Sequence, residues 1–229
     1  MTTHEEIYAN QAVAYDLMIS RQPDLTEVIS EIKGFHDLDV LDLGAGSGRL
    51  AMILAQKARS LVCTDRSSSM LDLLERKFIQ QGTARHWQTV VADHRQLPIP
   101  DESVDLAVSG WSISYLTNSG NPEWRSNLER IMSELYRVVR VHGTIVIFET
   151  LGTGTITPDP PEILKLYYSS LEKDYGFQHT WIRTDYTFRD VEEAKENMAF
   201  FFGESIAHQI TVNQWSTVPE CAGVWWKHL

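Results

Sequence analysis

Cysteine is nearly absent from this chain: 229 residues carry only Cys63 and Cys221. They form no CxxC pair, which excludes a disulfide framework and a thiolate metal cluster. Cys63 lies in an apolar run and reads as a small buried hydrophobe. The eight histidines show no HxxxH or HExxH grouping, so no metal is expected. No apolar run approaches the roughly 18 residues that span a bilayer. The opening MTTHEEIYANQ is polar and acidic, unlike a signal peptide. Together these point to a reducing, cytoplasmic setting without a membrane. Basic charge is also short, with 20 Lys+Arg against 31 Asp+Glu and a net charge of −11. Such a surface repels phosphate backbones and anionic lipid, and no nucleic-acid partner is expected.

Internal repeats, low-complexity tracts and linkers are missing too. The length suits a single α/β domain with a small elaboration. From Val40 to Phe148 short apolar runs alternate with longer amphipathic ones. LDVLDLG (38–44), SLVCTD (60–65), HWQTVVAD (86–93), SVDLAVSG (103–110) and GTIVIFET (143–150) read as strands. GRLAMILAQKA (48–58), a segment from about Ser67 to Gln81, and PEWRSNLERIMSELYRVVR (122–140) read as helices. This alternation implies right-handed crossovers and a parallel sheet. VVAD and TIVIF are apolar on both faces, as buried parallel strands should be. Residues 1–36 predict two helices. In 151–229 the pattern predicts a helix over EILKLYYSSLEKDYG, a strand over HTWIRTDYTF, a helix over RDVEEAKENMAFFFG and a last strand in ECAGVWWKHL.

What is present in concentrated form is glycine. VLDLGAGSGRL (40–50) places Gly44, Gly46 and Gly48 at alternate positions between the first strand and the first helix. Glycines let backbone approach a ligand, and the free N–H groups of a helix start favour an anionic group. A P-loop would need GxxxxGK followed by Ser or Thr, which is lacking. The dinucleotide fingerprint, GxGxxG, would put glycine where Arg49 stands.

LDLGAGSG resembles the first cofactor motif of the class I S-adenosylmethionine-dependent methyltransferases. The resemblance continues in order through CTDRSSSMLDLL (63–74), VVADHRQLPIPDESVDLAVSGWSISYL (90–116) and ELYRVVRVHGTIVIFE (134–149), covering about 38–150. The family's proline-glycine turn is His142-Gly143 here. The resemblance implies a Rossmann-like, seven-stranded, mainly parallel sheet with an antiparallel last strand. It divides one domain into N-terminal lid helices (1–36), a cofactor-binding core (38–150) and a substrate-side elaboration with the last strands (151–229).

It also implies S-adenosylmethionine as cofactor and S-adenosylhomocysteine as product. The implied contacts are Asp42, Gly44, Ala45, Gly46 and Gly48 at the loop, with Asp65 and Arg66 beside the ribose. Met70 packs under the adenine, Asp93 accepts from its amine, and Ala92 and His94 flank that aspartate. Ser109, Gly110 and Trp111 follow the fourth strand, where an aromatic face attracts a sulfonium. EEIYANQAVAYDLMIS (5–20) resembles the family's opening helix, and Tyr8 and Tyr15 fall on nearly one helical face. His94, Tyr115 and Glu149 are the candidate catalytic groups, with histidine suited to proton removal near neutral pH. FFFG (200–203) could wall an apolar acceptor pocket, and Arg183 and Arg189 could pair a substrate anion.

The expected activity is methyl transfer to a small-molecule acceptor by a monomer or homodimer. The alternatives are a transfer-RNA or protein methyltransferase, a non-catalytic S-adenosylmethionine-binding regulatory protein, and a nicotinamide-dependent dehydrogenase, which Arg49 disfavours.

Overall fold

A computed structural model describes residues 4–83 and 86–229; residues 1–3 of the predicted lid segment lie outside this range. Its helices are α1 (His4–Asn10), α2 (Ala12–Ile19), α3 (Thr26–Ile32), α4 (Ala51–Leu54), α5 (Ser68–Gln80), α6 (Ser114–Thr117), α7 (Trp124–Val138), α8 (Lys165–Lys173), α9 (Val191–Phe202) and α10 (Glu204–Asn213). The strands are β1 (Asp39–Leu43), β2 (Ser60–Asp65), β3 (Trp87–Val91), β4 (Val104–Gly110), β5 (Val139–Thr153), β6 (Gln178–Arg183), β7 (Tyr186–Thr187), β8 (Thr217–Val218) and β9 (Glu220–His228).

Seven strands form one sheet in the order β3-β2-β1-β4-β5-β9-β6. β1 to β5 pair in parallel, and β9 runs antiparallel to both β5 and β6. The mainly parallel sheet with its antiparallel last strand is therefore as expected. Side-chain alternation sorts the core into two layers. Leu41, Leu43, Ala107, Ile145 and Ile147 meet Leu128, Ile131 and Leu135 of α7 on one face. Val40, Leu61, Cys63, Val108 and Phe148 meet Ile29 of α3 and Leu71, Leu74 and Phe78 of α5 on the other. A third cluster joins Met18 and Ile19 of α2 to Met198 of α9, Ile206 and Ile210 of α10, and Val218 of β8.

Several elements depart from the sequence reading. The N-terminal segment holds three helices, because Gln11 (φ −134°, ψ 29°) separates α1 from α2. The helix predicted over 48–58 shrinks to α4, since positive φ at Gly46 and Gly48 delays it. HTWIRTDYTF divides into β6 and β7, and β7 pairs with β8 outside the main sheet. VVAD is not buried on both faces: β3 is an edge strand and Val91 is 60% exposed. β5 starts directly after α7 and absorbs the expected turn as a register shift against β4, with His142 at φ +67°.

Candidate functional site

The chain reverses its direction of travel across the sheet between β1 and β4, where open α/β sheets bind ligands at their carboxyl ends. A cavity of about 370 Å³ lies there. Its floor is the loop after β1, where Gly44, Gly46 and Gly48 take φ of +79°, +52° and +100°. A Cβ added at Gly44 would stand 1.9 Å from Ser112 Oγ, whereas one at Gly46 would meet nothing within 4 Å. The loop thus turns bare backbone toward the cavity.

Asp65 ends β2 and holds that loop. Its Oδ2 accepts from the Gly46 N–H at 2.9 Å and its Oδ1 from the Ser67 N–H at 2.8 Å. Burial raises its pKa, opposed by these backbone donors. Ser67, not Asp65, caps α5: its Oγ accepts from the Met70 N–H at 3.4 Å. That cap sets Met70 on the cavity wall.

His94 and Ser112 form a second brace, with Nε2 and Oγ 2.6 Å apart. His94 is 4% exposed and its Nδ1 has no partner. Burial pushes the imidazole down to about 4, so it is neutral at pH 7. Trp111 leaves β4 at φ +53°, a conformation costing a bulky residue about 1–3 kcal/mol. Its ring stacks 5.9 Å from Phe148, and the Arg49 guanidinium sits 3.5 Å from its centre.

Aromatic side chains of α1, α2 and α6 make the roof. The Tyr8 and Tyr115 hydroxyls are 2.6 Å apart, and the Tyr8 and Tyr15 rings meet edge-on at 5.0 Å. Phe201 backs Tyr15 from α9 at 5.1 Å. Lys77 Nζ donates to Asp16 Oδ1 (2.6 Å) and to the Ser47 carbonyl (2.8 Å), fastening α2 to α5 and the glycine loop. Arg21 ties the end of α2 to Glu193 of α9 at 2.6 Å.

Of the residues singled out from sequence, Tyr8, Tyr15, Gly44, Ala45, Gly46, Asp65, Arg66, Met70, His94, Gly110, Trp111 and Tyr115 line this cavity. The others do not line it. Asp42 is 1% exposed with both carboxylate oxygens unpartnered, and burial, with nearby Asp65, pushes it up to about 8. Gly48 faces Leu74, and the Ala92 N–H donates to the Asp65 carbonyl. Asp93 accepts from Arg95 through both oxygens (2.8 and 2.7 Å), which holds it below the usual carboxylate range. Ser109 Oγ donates to the Leu43 carbonyl. Glu149 Oε1 accepts from the Ser114 N–H at 2.9 Å beneath α6, and burial pushes the carboxyl up to about 7.

Phe201 packs on Tyr8 and Tyr15, Phe202 packs on Phe201 and Tyr186, and neither lines the cavity. Arg183 and Arg189 bind their own neighbours, Asp185 and Asp190. Sequence reasoning missed Ile19, Ser47, Ser67, Ser112 and Leu116 on the wall, and used Arg49 only to exclude a dinucleotide. A polar residue two positions past the end of β4 was the available signal for Ser112. Among the described residues no helix is long and apolar enough to cross a membrane.

Residues 41–147 match a protein family described as a methyltransferase domain. A malonyl-acyl-carrier-protein O-methyltransferase of Serratia marcescens is 27% identical over 150 residues, covering 65% of this chain and 52% of that protein. The protein of the same name from a Marinomonas species is 26% identical over 213 residues, covering 91% and 69%. The chain thus spans about half the length of the Serratia relative. A crystal structure of an S-adenosylmethionine-dependent methyltransferase from Aquifex aeolicus superposes with a TM-score of 0.63 at 16% identity, covering 96% of this chain and 99% of that one.

Proposed function

We propose that the chain is a class I S-adenosylmethionine-dependent methyltransferase that transfers the cofactor's methyl group to a small-molecule acceptor, a reading supported by the family match over residues 41–147 and by the superposed fold. The observation that carries this is the convergence on one cavity of the bare glycine loop, Asp65, Met70, Trp111 and the tyrosine roof.

The residues present fit the cofactor. Gly46 leaves open space where a side chain would intrude. Asp65 presents a carboxylate that can accept ribose hydroxyls. Met70 and Trp111 supply apolar and aromatic surface on the wall. When bound, the cofactor supplies a sulfonium-activated methyl group open to in-line displacement.

The chain's own contribution is enclosure and orientation. Tyr8 and Tyr115 join hydroxyls at the cavity, and Lys77 and Arg21 fasten α2 beside them, an arrangement suited to holding reactants close. Its titratable groups are poorly tuned to take a proton at neutral pH. His94 is held down at about 4, and burial raises the Tyr8, Tyr15 and Tyr115 phenols above their ordinary value. Glu149, the carboxyl poised near 7, does not line the cavity. These features favour an acceptor that is already an unprotonated nucleophile at neutral pH, such as a carboxylate. Malonyl thioesters are the first acceptors to assay, given the names of the two relatives.

The test is titration calorimetry with S-adenosylhomocysteine, NAD+ and NADH, followed by transfer of labelled methyl to malonyl thioesters and a wider acceptor panel. Micromolar binding of S-adenosylhomocysteine with turnover on a small acceptor supports the proposal. Binding of a nicotinamide nucleotide instead refutes it. Cofactor binding without turnover on any small acceptor favours a regulatory protein or a macromolecular acceptor.

A further inference from the structure

Arg49 follows the last glycine of the loop and lines the cavity. Its guanidinium carbon sits over the Trp111 ring, 3.5 Å from the ring centre, a cation–π contact that holds the group in place. Its Nε and Nη2 are buried and make no hydrogen bond. Leaving buried donors of a cation unmatched is costly, so such an arrangement calls for a partner.

No described residue pairs with it. Among the described residues Arg49 enters no ion pair, whereas the cavity's other arginine, Arg66, reaches Asp93 at 4.0 Å. The groups that act on Arg49 electrostatically are Tyr186, Tyr15 and Glu220. The two tyrosines are phenols whose pKa burial raises, hence uncharged at neutral pH. Glu220 is 2% exposed, accepts from Thr150 Oγ1 at 2.9 Å through Oε1 and leaves Oε2 unpartnered, and it does not come within ion-pair distance of Arg49. A rigid, planar cation with idle donors matches a carboxylate, which accepts two parallel N–H bonds.

We propose that Arg49 is the carboxylate receptor of this cavity, binding a ligand carboxylate through the guanidinium that Trp111 holds in place. The inference rests on the cofactor-binding reading above. Two ligands can supply that carboxylate: the amino-acid tail of the cofactor, or the acceptor.

The test compares S-adenosylhomocysteine with 5′-methylthioadenosine, which keeps the nucleoside and thioether but lacks the amino-acid tail. Both are titrated calorimetrically into wild type, Arg49→Gln and Arg49→Lys, with thermal melts confirming that each variant is folded. A cofactor source predicts that Arg49→Gln weakens S-adenosylhomocysteine by about 10- to 100-fold and leaves methylthioadenosine within about twofold, with partial retention in Arg49→Lys. An acceptor source predicts that both nucleosides bind unchanged. Malonate or butyrate then raises the melting temperature of the S-adenosylhomocysteine-saturated wild type, and Arg49→Gln loses that shift.

Equal weakening of both nucleosides makes Arg49 a structural support for Trp111 and overturns the proposal. Unchanged nucleoside binding without an Arg49-dependent carboxylate shift overturns it as well. Failure of wild type to bind S-adenosylhomocysteine strikes the cofactor reading itself and is thereby distinguishable.

Discussion

Gly44 offers the sharpest physical test of the site. An alanine there must hold φ near +79°, and its methyl carbon must occupy a point 1.9 Å from Ser112 Oγ and 2.4 Å from Ser112 Cβ. The left-handed backbone costs about 1–2 kcal/mol. Overpacking against a braced neighbour adds about 1–3 kcal/mol, because Ser112 is held by His94 at 2.6 Å and cannot swing away cheaply. Gly44→Ala should therefore lose about 2–5 kcal/mol in urea unfolding at unchanged m. Ser112→Gly removes the obstructing atoms at the cost of one hydrogen bond, about 0.5–1.5 kcal/mol. In the double variant the steric part should be recovered while the φ part remains, giving a favourable coupling of about 1–3 kcal/mol. Gly46→Ala is the control. It takes the backbone cost of about 1–2 kcal/mol without a clash, yet places its methyl in the cavity, so it should lose cofactor affinity out of proportion to stability. If Gly44→Ala stays within about 0.5 kcal/mol of wild type, or if the two substitutions are additive, the loop is not built as described.

Asp65→Asn should weaken S-adenosylhomocysteine by about 1.5–3 kcal/mol, the scale of a hydrogen bond to a charged group; unchanged affinity in calorimetry would limit Asp65 to holding the loop. His94 has a folded pKa near 4 against its ordinary 6.5, so the unfolded chain binds the extra proton. Its contribution is complete above about pH 6.5 and falls away toward pH 4 by about 3 kcal/mol. Wild type should accordingly lose that much more stability than His94→Gln between those pH values, and parallel curves would contradict a buried neutral imidazole. The buried carboxyls Asp42, Glu149 and Glu220 have raised values and titrate with the opposite sign, but they are common to both proteins and cancel in the comparison. Tyr8→Phe and Tyr115→Phe each remove the 2.6 Å contact at the roof. Each should cost no more than about 1.5 kcal/mol of stability but reduce turnover, and full activity in both would make the contact incidental.

The sheet was legible because parallel strands and their crossovers leave a periodic hydrophobic trace, and β2 was read to the residue. Helical boundaries suffered where a single backbone conformation intervenes: Gln11 breaks the N-terminal helix, and the loop glycines shorten α4. β3 was misread because position in a sheet is decided by long-range order, which VVAD does not encode. The glycine loop and Asp65 were legible as local motifs. Ser112 and Arg49 were not, since their meaning comes from what faces them: His94 across the crevice for one, Trp111 from a different strand for the other. Asp93 and Glu149 stood out as acids, but Arg95 and the start of α6 engage them, which spacing alone does not show.

The placement of β9 bears on how the chain is made. It is inserted between β5 and β6 and pairs with both, although it is the latest of the nine strands to be synthesised. During translation β5 can dock beside β4, but its outer edge stays open and β6 has no neighbour in the sheet until β9 emerges. For that interval an apolar strand, with Ile145 to Phe148 at its centre, offers unpaired backbone to any passing chain. Slowed elongation between β6 and β9 should prolong the exposure and raise the demand for a chaperone, whereas pauses before β5 should be harmless. Assembly of this protein is thus gated by the strand that closes its sheet.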